Sequence, residues 1–256
     1  MELRDWCEAL KPVVRVAGER IMAIYAKAPA AQLKSDGSPV TEADAAAEAV
    51  ILAALAALAP DVPVVSEENA STHALAAPER FILVDPLDGT KEFLKRDGQG
   101  AFTVNVAGVE RGTPIAGIVF APALDRLFVG GAGVAYEECA GVRRALAVRS
   151  VPSSGPVAVA SSSHRDPQTE AWLNAHGVVN TVSIGSSLKF CLVAAGEADL
   201  YPRWGPTMEW DTAAGDAVLR AAGGHVTQPQ GSPFVYGKPG YRNGPFVARG
   251  APATGF

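Results

Sequence analysis

Cysteine is scarce in this sequence, and neither cysteine nor histidine forms a metal-binding pattern. Three of the 256 residues are cysteine, at positions 7, 139 and 191, and the four histidines are equally scattered. Without a CxxC pair or suitably spaced histidines, neither a zinc site nor a disulfide framework is expected. The cysteines are instead expected to be buried thiols in a reducing cytosol.

Long apolar segments and an excess of positive charge are also missing. The most apolar stretch, residues 45–59, is interrupted by Glu48 and is too short to span a bilayer, and the charged first twelve residues lack the apolar run of a signal peptide. Lys plus Arg is 22 against 27 for Asp plus Glu, which argues against binding to a nucleic-acid backbone. The sequence therefore predicts a cytoplasmic protein without a transmembrane segment. A small phosphorylated ligand remains compatible, because a bound cation can reverse the local charge.

The composition is that of a folded globular protein, with 48% apolar and 19% charged residues. Apolar periodicity predicts a helix over residues 3–25 and a second helix from Thr41, as N-cap, to about Leu58. Pro12 marks either a kink in the first helix or its true start. Apolar runs predict strands, of which the third and fourth form a hairpin, at 62–65, 81–84, 102–109, 115–120 and 127–129.

Strands and helices alternate after residues 150–156, a segment rich in proline and serine that is a candidate lobe boundary. Such alternation is typical of an α/β arrangement. The predicted fold class is therefore a layered α+β / α/β sandwich. Residues 1–150 are expected to form an N-terminal α+β lobe with a largely antiparallel sheet and most of the candidate metal ligands. Residues 151–256 are expected to form a C-terminal α/β lobe that contributes Asp211 and substrate-binding segments.

Two carboxylates three residues apart follow the predicted buried strand at 81–84. Asp85 and Asp88 belong to the segment DPLDGT over residues 85–90, which has the composition of a tight turn. Two like charges this close are costly unless a cation lies between them. On this segment alone, a simple turn in which both side chains cap local amides is an equal alternative.

Other acidic residues favour a metal site. Glu67 and Glu68 follow another predicted strand, and Asp211 is expected to open a helix. The small residues TAAG at 212–215 would let that helix approach another backbone closely. An all-oxygen ligand set indicates a hard cation such as Mg²⁺ or Mn²⁺.

The segments EE (67–68), DPLDGT (85–90) and WDTAAG (210–215) resemble, in order and separation, the motifs of the inositol monophosphatase superfamily. The resemblance extends over about residues 3–250. It implies a layered sandwich and hydrolysis of a phosphomonoester with two or three Mg²⁺ ions, for which Mn²⁺ can substitute, and inhibition by Li⁺. The implied metal ligands are Glu67, Asp85, the Leu87 carbonyl, Asp88 and Asp211.

The same resemblance implies how the phosphate is held and attacked. The Thr90 hydroxyl, backed by Asp44, is expected to activate the attacking water. Gly89 and Thr90 are expected to supply backbone donors to the phosphate. The metal ligands that also border the substrate are Glu67, Leu87, Asp88 and Asp211.

The C-terminal half resembles a narrower branch, the bacterial 3'(2'),5'-bisphosphate nucleotidases of the CysQ type. The matching segments are ASSSHRD (160–166), GSSLKFCL (185–192) and ADLYPR (198–203), with KEFL (91–94) in the first half. The resemblance implies hydrolysis of 3'-phosphoadenosine 5'-phosphate to AMP, and of 3'-phosphoadenylyl sulfate to adenylyl sulfate, in sulfur assimilation. A small phosphorylated nucleotide is therefore the expected partner.

Residues of this half are candidates for nucleotide binding. A helix start with free amides can receive an anion, so Gly185, Ser186, Ser187 and Lys189 are assigned to the second, non-reacting 5'-phosphate. The alternative is that the serines only cap the helix and Lys189 is solvated. Arg203 either contacts the substrate or forms an ordinary salt bridge. The residues expected at the ribose or base are Ser161, Ser163 and His164.

Two other functions stay open at this point. One is an inositol-phosphate or sugar-phosphate phosphatase on the same scaffold, and the other is a catalytically silent sensor of nucleotide or metal. Trp210 is expected to belong to the core rather than to stack on substrate. The oligomeric state, monomer or homodimer, leaves no signal in the sequence. Neither does peripheral association with the cytoplasmic face of the inner membrane.

Overall fold

The computed structural model describes residues 3–27, 32–33, 39–74, 76–161 and 166–250. Helices and sheets alternate in layers within these residues. The α-helices are α1 Leu3–Tyr25, α2 Glu42–Leu58, α3 Thr90–Lys95, α4 Pro167–Ala175, α5 Leu188–Ala194 and α6 Ala213–Ala221. None of the helices in these ranges has the length and apolarity needed to cross a bilayer.

The first sheet has seven strands in sequence order, and neighbouring strands are antiparallel except for the parallel pair β3 and β4. A short antiparallel pair, β1 Gln32–Leu33 and β2 Pro39–Val40, lies outside this sheet. The strands of the sheet are β3 Val64–Ser66, β4 Arg80–Asp88, β5 Thr103–Glu110, β6 Thr113–Ala121, β7 Arg126–Gly131, β8 Val134–Cys139 and β9 Val142–Ala145. The predicted hairpin and the antiparallel pairing are confirmed. Strands β8 and β9 were not predicted; all four residues of β9 are exposed, so it lacks apolar alternation.

The second sheet is mixed, with strand order β11-β10-β12-β16-β14. Its strands are β10 Val157–Ser161, β11 Asn180–Ile184, β12 Leu200–Arg203, β14 His225–Thr227 and β16 Phe246–Arg249. Strands β10, β11 and β12 are parallel, and β16 runs antiparallel to both of its neighbours. The pair β13 Thr207–Met208 and β15 Arg242–Asn243 is separate. The α/β alternation is confirmed, but the sequence did not predict β16, which lies between β12 and β14.

A buried stripe positions helix α1, and a capping box starts helix α2. Helix α1 begins at Leu3, so the alternative that it starts at Pro12 is wrong. A fully buried stripe of α1 holds it against α2 and the sheet, and this stripe consists of Leu10, Val14, Ala17 and Ile21. Helix α2 begins after Thr41 as predicted, in a capping box in which Thr41 Oγ1 accepts from Ala43 N and Asp44 Oδ2 accepts from Thr41 N.

Apolar cores cover both faces of the first sheet. Helices α1 and α2 cover one face, and the other face shares a core with α5, α6 and the second sheet. The strands divide between the two sheets on either side of residue 150, where a lobe boundary was predicted. Because the larger core joins residues such as Phe128 and Phe246 from both sides of that boundary, the division into lobes stays a prediction. Of the free cysteines, Cys7 and Cys191 are buried as expected, and Cys139 is half-buried.

Helix α6 approaches the first sheet closely because glycines face it. A Cβ atom at Gly117 on β6 would lie 2.4 Å from the carbonyl oxygen of Ala214, and one at Gly130 on β7 would lie 2.4 Å from Cα of Val218. The expected close approach of the small-residue segment 212–215 is thus confirmed. Since α6 follows Asp211, its depth against the sheet fixes where that carboxylate stands.

Gly117→Ala is expected to lower the free energy of unfolding by about 1–3 kcal/mol, because the added methyl group meets rigid backbone. Gly108→Ala is the matched control on neighbouring strand β5, where the nearest atom to a new Cβ is 3.9 Å away on Trp6. Urea unfolding of both variants measures the difference. Equal effects of the two substitutions would contradict a backbone clash at Gly117.

Candidate active site

A cleft is lined by residues from both sides of residue 150 and contains most of the predicted site. Gly185 packs behind this lining, since a Cβ there would lie 2.5 Å from Cγ of cleft residue Glu92. Asp44 is buried outside the lining, and Ser163 and His164 lie outside the described residues. The predicted residues that line the cleft are Glu67, Asp85, Leu87, Asp88, Gly89, Thr90, Ser161, Ser186, Ser187, Lys189, Arg203 and Asp211.

Three carboxylates converge at one end of the cleft. Glu67, Asp85 and Asp211 each contribute an oxygen, and these oxygens all lie within 4.8 Å of one another. Glu67 follows β3, Asp85 lies on the adjacent strand β4, and Asp211 precedes α6. The expectation that Asp211 opens the helix is wrong, because α6 begins at Ala213 and Asp211 closes a turn in which its Oδ2 accepts from Met208 N at 2.7 Å.

Asp85 carries a buried oxygen without a donor. Its Oδ1 accepts from Leu87 N at 3.0 Å, whereas Oδ2 has no hydrogen-bond partner among the described residues. Burial raises the pKa of Asp85 well above its usual value, and the charges of Glu67, Asp88 and Asp211 raise it further. Burial followed by the charges of Asp88 and Glu67 likewise raises the pKa of Asp211. The cluster thus brings together carboxyl groups that disfavour one another's ionisation.

Asp88 links this cluster to the opposite wall of the cleft. Burial raises its pKa to about 6, while the charge of Lys189 and a hydrogen bond from Ser187 N oppose that rise. The two walls therefore meet at Asp88, where a carboxylate from the first sheet faces a cation and an amide from the segment around α5.

The donor set fits a hard divalent cation. Carboxylate and backbone carbonyl oxygens are the ligands that Mg²⁺ and Mn²⁺ prefer. Carboxylates at this spacing are costly without a cation between them, since Asp85 is buried with an unpaired oxygen and Glu67 and Asp211 are half-buried. Glu67, Asp85 and Asp211 can hold such an ion, and Asp88 and Leu87 border them in the same cleft.

The turn after β4 contains Gly89 and Thr90, the predicted donors to the phosphate. Gly89 has φ +87°, a conformation that favours glycine, and a Cβ there would lie 3.0 Å from the Ala101 carbonyl oxygen. Thr90 begins α3, and its hydroxyl donates to the Leu87 carbonyl at 3.2 Å. Asp44 Oδ2 accepts from both the amide and the hydroxyl of Thr41. The pairing of Asp44 with Thr90 stays a prediction.

Lys189 is buried in the cleft wall, so the alternative that it is solvated is wrong. Its side chain belongs to a residue that is 4% exposed, and Nζ donates to the carbonyls of Ser186 at 2.6 Å and Ile184 at 3.3 Å. Burial lowers the pKa of Lys189 to about 8, and the charge of Asp88 counteracts part of that effect. Two of the three ammonium donors are thus used on backbone carbonyls.

The serines lead directly into α5 as expected, since the helix begins at Leu188 with Ser187 at its N-cap position. The Ser187 side chain makes no capping hydrogen bond; its hydroxyl donates to Asn105 Oδ1 at 2.6 Å and contacts the Thr103 hydroxyl at 2.9 Å. Ser186 has φ +51° and a hydroxyl that accepts weakly from Leu188 N at 3.3 Å. The bonds of Ser187 hold residues 186–187 against β5. Strand β5 lies beside β4, so these residues face the side of the cleft that carries Asp85 and Asp88, called here the carboxylate wall.

Arg203 lies at the end of β12 and is 7% exposed. Its guanidinium donates to the carbonyls of Gly205 and Pro206, both at 3.2 Å. Ser161, at the end of the parallel strand β10, is also buried and lines the cleft. The ends of parallel strands are a common place for ligands, so both residues remain candidates for contacts with the substrate.

The turn after Arg203 is anchored to the start of α4. Asp166 Oδ2 accepts from Gly205 N, and Thr169 Oγ1 accepts from Trp204 N, both at 3.2 Å. The Thr169 hydroxyl in turn donates to Asp166. These bonds lower the pKa of Asp166 against the opposing effect of its burial. The turn beside Arg203 is therefore held against the start of α4 by hydrogen bonds.

The cleft lining also includes residues outside the predicted site, among them Glu92 and Tyr201, and one core prediction is confirmed. Glu92 is 7% exposed and packs against Gly185, and Tyr201 lines the cleft beneath Lys189, whose Nζ lies 5.2 Å from its ring centroid. The sequence signal that could have identified Glu92 is its position in the first turn of α3, directly after Gly89 and Thr90. Trp210 is 4% exposed and belongs to the core, as expected.

Comparison with known proteins gives consistent similarities. The sequence model of the inositol monophosphatase family matches residues 2–251. The 3'(2'),5'-bisphosphate nucleotidase CysQ of Escherichia coli (strain K12) is 49% identical over 227 residues, which cover 88% of this chain and 91% of that protein. The CysQ of Salmonella typhimurium is 48% identical over 232 residues, 90% of this chain and 93% of that protein.

Solved structures share the architecture. CysQ from Bacteroides thetaiotaomicron, a bacterial member of the inositol monophosphatase family, superposes with a TM-score of 0.84 at 36% identity and covers 97% of this chain and 98% of its own. An inositol monophosphatase from Thermotoga maritima superposes with a TM-score of 0.75 at 24% identity and covers 93% of this chain and 89% of its own, a likeness of fold. The predicted layered fold is thus confirmed.

Proposed function

The chain belongs to the inositol monophosphatase family, and we propose that it is a metal-dependent 3'(2'),5'-bisphosphate nucleotidase. It removes the 3'-phosphate of 3'-phosphoadenosine 5'-phosphate to leave AMP and phosphate. It also converts 3'-phosphoadenylyl sulfate to adenylyl sulfate, which places it in sulfur assimilation. The observation that supports this most strongly is a carboxylate cluster with an unpaired buried oxygen, opposed across one cleft by a buried lysine and arginine.

We assign two or three Mg²⁺ ions to the carboxylate wall, with Mn²⁺ as a substitute and Li⁺ as an inhibitor. Glu67, Asp85 and the Leu87 carbonyl would hold one ion, and Asp88 and Asp211 would hold another that Asp85 also contacts. When bound, Mg²⁺ neutralises phosphoryl charge and acidifies water, which offsets the very slow hydrolysis of phosphate monoesters.

The residues of the chain position the reacting groups. The amides of Gly89 and Thr90 face the transferred phosphate at the left-handed turn, and the Thr90 hydroxyl orients the attacking water. Asp44, buried with its carboxylate already hydrogen-bonded to Thr41, takes the proton through Thr90. Holding the water in line with the phosphate accelerates hydrolysis. In the loose transition state of phosphoryl transfer, catalysis depends mainly on positioning and on electrostatic stabilisation.

The opposite wall selects a substrate with a second phosphate. Lys189 has two ammonium donors on backbone carbonyls and a third for an anion in the cleft. Ser186 and Ser187 border the same corner, and Gly185 lets the segment pack tightly against Glu92, which a larger residue would strike. Arg203 and Ser161 are placed to contact ribose or base. Ser163 and His164 are assigned to the same part of the substrate on sequence alone.

A substrate panel tests this assignment directly. With purified protein and Mg²⁺, kcat/KM for 3'-phosphoadenosine 5'-phosphate is expected to exceed that for inositol 1-phosphate by about 10²-fold or more, because a site built for polar groups rejects analogues that leave those groups unpaired. Released phosphate is the readout. Comparable turnover of both compounds would point instead to a general sugar-phosphate phosphatase. Nucleotide binding without phosphate release would point to a sensor.

We propose a cytoplasmic location, where sulfate is assimilated and the substrate arises. A monomer or a homodimer is compatible with the cleft, since residues of a single chain line it. Peripheral association with the inner membrane stays a prediction.

A further inference from the structure

One histidine touches both chain segments that carry the outer carboxylates of the cluster. His73 Nε2 lies 2.7 Å from the carbonyl oxygen of Ser66, and its ring stacks on Trp210 with centroids 4.6 Å apart and planes 29° apart. Ser66 immediately precedes Glu67, and Trp210 immediately precedes Asp211. His73 itself is not among the residues that line the cleft.

The direction of the hydrogen bond follows from chemistry. A backbone carbonyl only accepts, so Nε2 carries the hydrogen and donates it to Ser66. The same carbonyl also accepts from Asn69 N at 3.1 Å, which closes the turn that carries Glu67. The ring is thus fixed at one edge by this bond and on one face by the indole.

The segment that carries Glu67 lies at a sheet edge, where Ser66 also donates from Oγ to Glu48 and from its amide to Thr72 Oγ1. Strand β3 has three residues, lies at the edge of the first sheet and pairs only with β4. Glu67 N donates to the Val84 carbonyl, which is the last ladder bond of that edge. The segment that carries Asp211 comes from a separate part of the chain, so sheet pairing cannot set the distance between the two carboxylates.

We infer that His73 is a positioning residue that sets the separation of Glu67 and Asp211, and thereby the affinity of the cluster for a divalent cation. The inference rests on the proposed metal-dependent function, but it concerns metal binding rather than turnover. Outer partners that orient metal ligands commonly change affinity by about 10–100-fold when they are removed. His73 does so through backbone and ring contacts, without touching substrate.

Variants separate the two contacts. His73→Ala removes both, His73→Phe keeps the stacking on Trp210, and His73→Gln keeps an amide donor for Ser66. The dissociation constant for Mg²⁺ is measured by isothermal titration calorimetry of the purified protein with Mg²⁺ alone. For His73→Ala we expect a value about 10-fold higher or more than that of the unaltered protein. Smaller increases are expected for His73→Phe and His73→Gln. At saturating Mg²⁺, kcat is expected to return to within about 3-fold of the unaltered protein, because the ligands themselves are intact.

His176 offers a matched control. It also stacks on a tryptophan, Trp172, at 4.0 Å and bonds through Nδ1 to that residue's carbonyl oxygen at 2.8 Å, but it caps α4 away from the carboxylates. His176→Ala is expected to leave the Mg²⁺ dissociation constant unchanged. A higher Mg²⁺ dissociation constant in His73→Ala but not in His176→Ala would show that the effect does not arise from losing any histidine stacked on tryptophan.

The outcomes distinguish the inference from the proposed function. An unchanged Mg²⁺ dissociation constant in His73→Phe, His73→Gln and His73→Ala would overturn the inference, even if the melting temperature of the metal-free protein falls. Should His73→Ala fail to fold, the other two variants decide the question. A protein that binds Mg²⁺ in a His73-dependent manner yet releases no phosphate would refute the proposed function and leave the inference standing.

Discussion

Asp85→Asn is expected to abolish phosphate release and at the same time to stabilise the metal-free protein. The catalytic loss follows because Asp85 is the buried member of the cluster and the residue assigned to contact both ions. Loss of one preorganised electrostatic group in an active site commonly lowers kcat by about 10²–10³-fold, and loss of a shared ligand should reach at least the upper end of that range.

The gain in stability has a separate cause. Asparagine can offer the same oxygen to Leu87 N and puts an amide donor in place of the unpaired Oδ2, next to Glu67. It also removes the cost of ionising a buried carboxyl group beside Glu67, Asp88 and Asp211. A new buried hydrogen bond of about 1 kcal/mol would raise the melting temperature by about 2–4 °C in a chain of this size.

Thermal unfolding with and without Mg²⁺ measures both parts. The unaltered protein is expected to gain stability from Mg²⁺ by mass action, and Asp85→Asn is expected to lose that gain. Asp61→Asn, at an exposed carboxylate, is the control and should leave activity and the Mg²⁺ effect unchanged. A variant at Asp85 that is less stable in chelator and still responds to Mg²⁺ would contradict the metal assignment.

Lys189→Met is expected to raise KM for 3'-phosphoadenosine 5'-phosphate by about 10–100-fold, because a hydrogen bond to a charged group contributes about 1.5–3 kcal/mol. Methionine keeps much of the buried volume but removes the ammonium group. The KM for 3'-AMP, which has the reacting phosphate and lacks the 5'-phosphate, is expected to change much less. The comparison isolates the role of Lys189 at the second phosphate.

Initial-rate kinetics on both nucleotides, at saturating Mg²⁺, provide the measurement. Lys91→Met is the matched control, since Lys91 lines the same cleft but is exposed, so water screens its charge. We expect it to raise KM only slightly. Equal effects of Lys189→Met on the two nucleotides would leave Lys189 as the counter-charge of Asp88 and remove it from the second phosphate site.

Local patterns predicted most of the secondary structure. Thr41 is the N-cap as predicted, because a cap and its partners lie within one turn of the chain; the capping box with Asp44 was not predicted. The helix around Pro12 and the start of α6 after Asp211 were less predictable, since packing of a buried stripe in one case and a turn closed by Met208 in the other override local preference. Strand β16 was missed because its partners, β12 and β14, come from distant segments.

The sequence by itself determined which carboxylates are candidate metal ligands and in what order they occur. Each of Glu67, Asp85 and Asp211 lies in a short local motif that contains no cysteine or histidine. Only the tertiary structure decided that these three carboxylates meet within 4.8 Å, that Lys189 is buried opposite them, and that His73 joins two of their segments. The reason is physical: burial and the distance between charges depend on how both sheets and α6 pack together, and no short stretch of sequence contains that information.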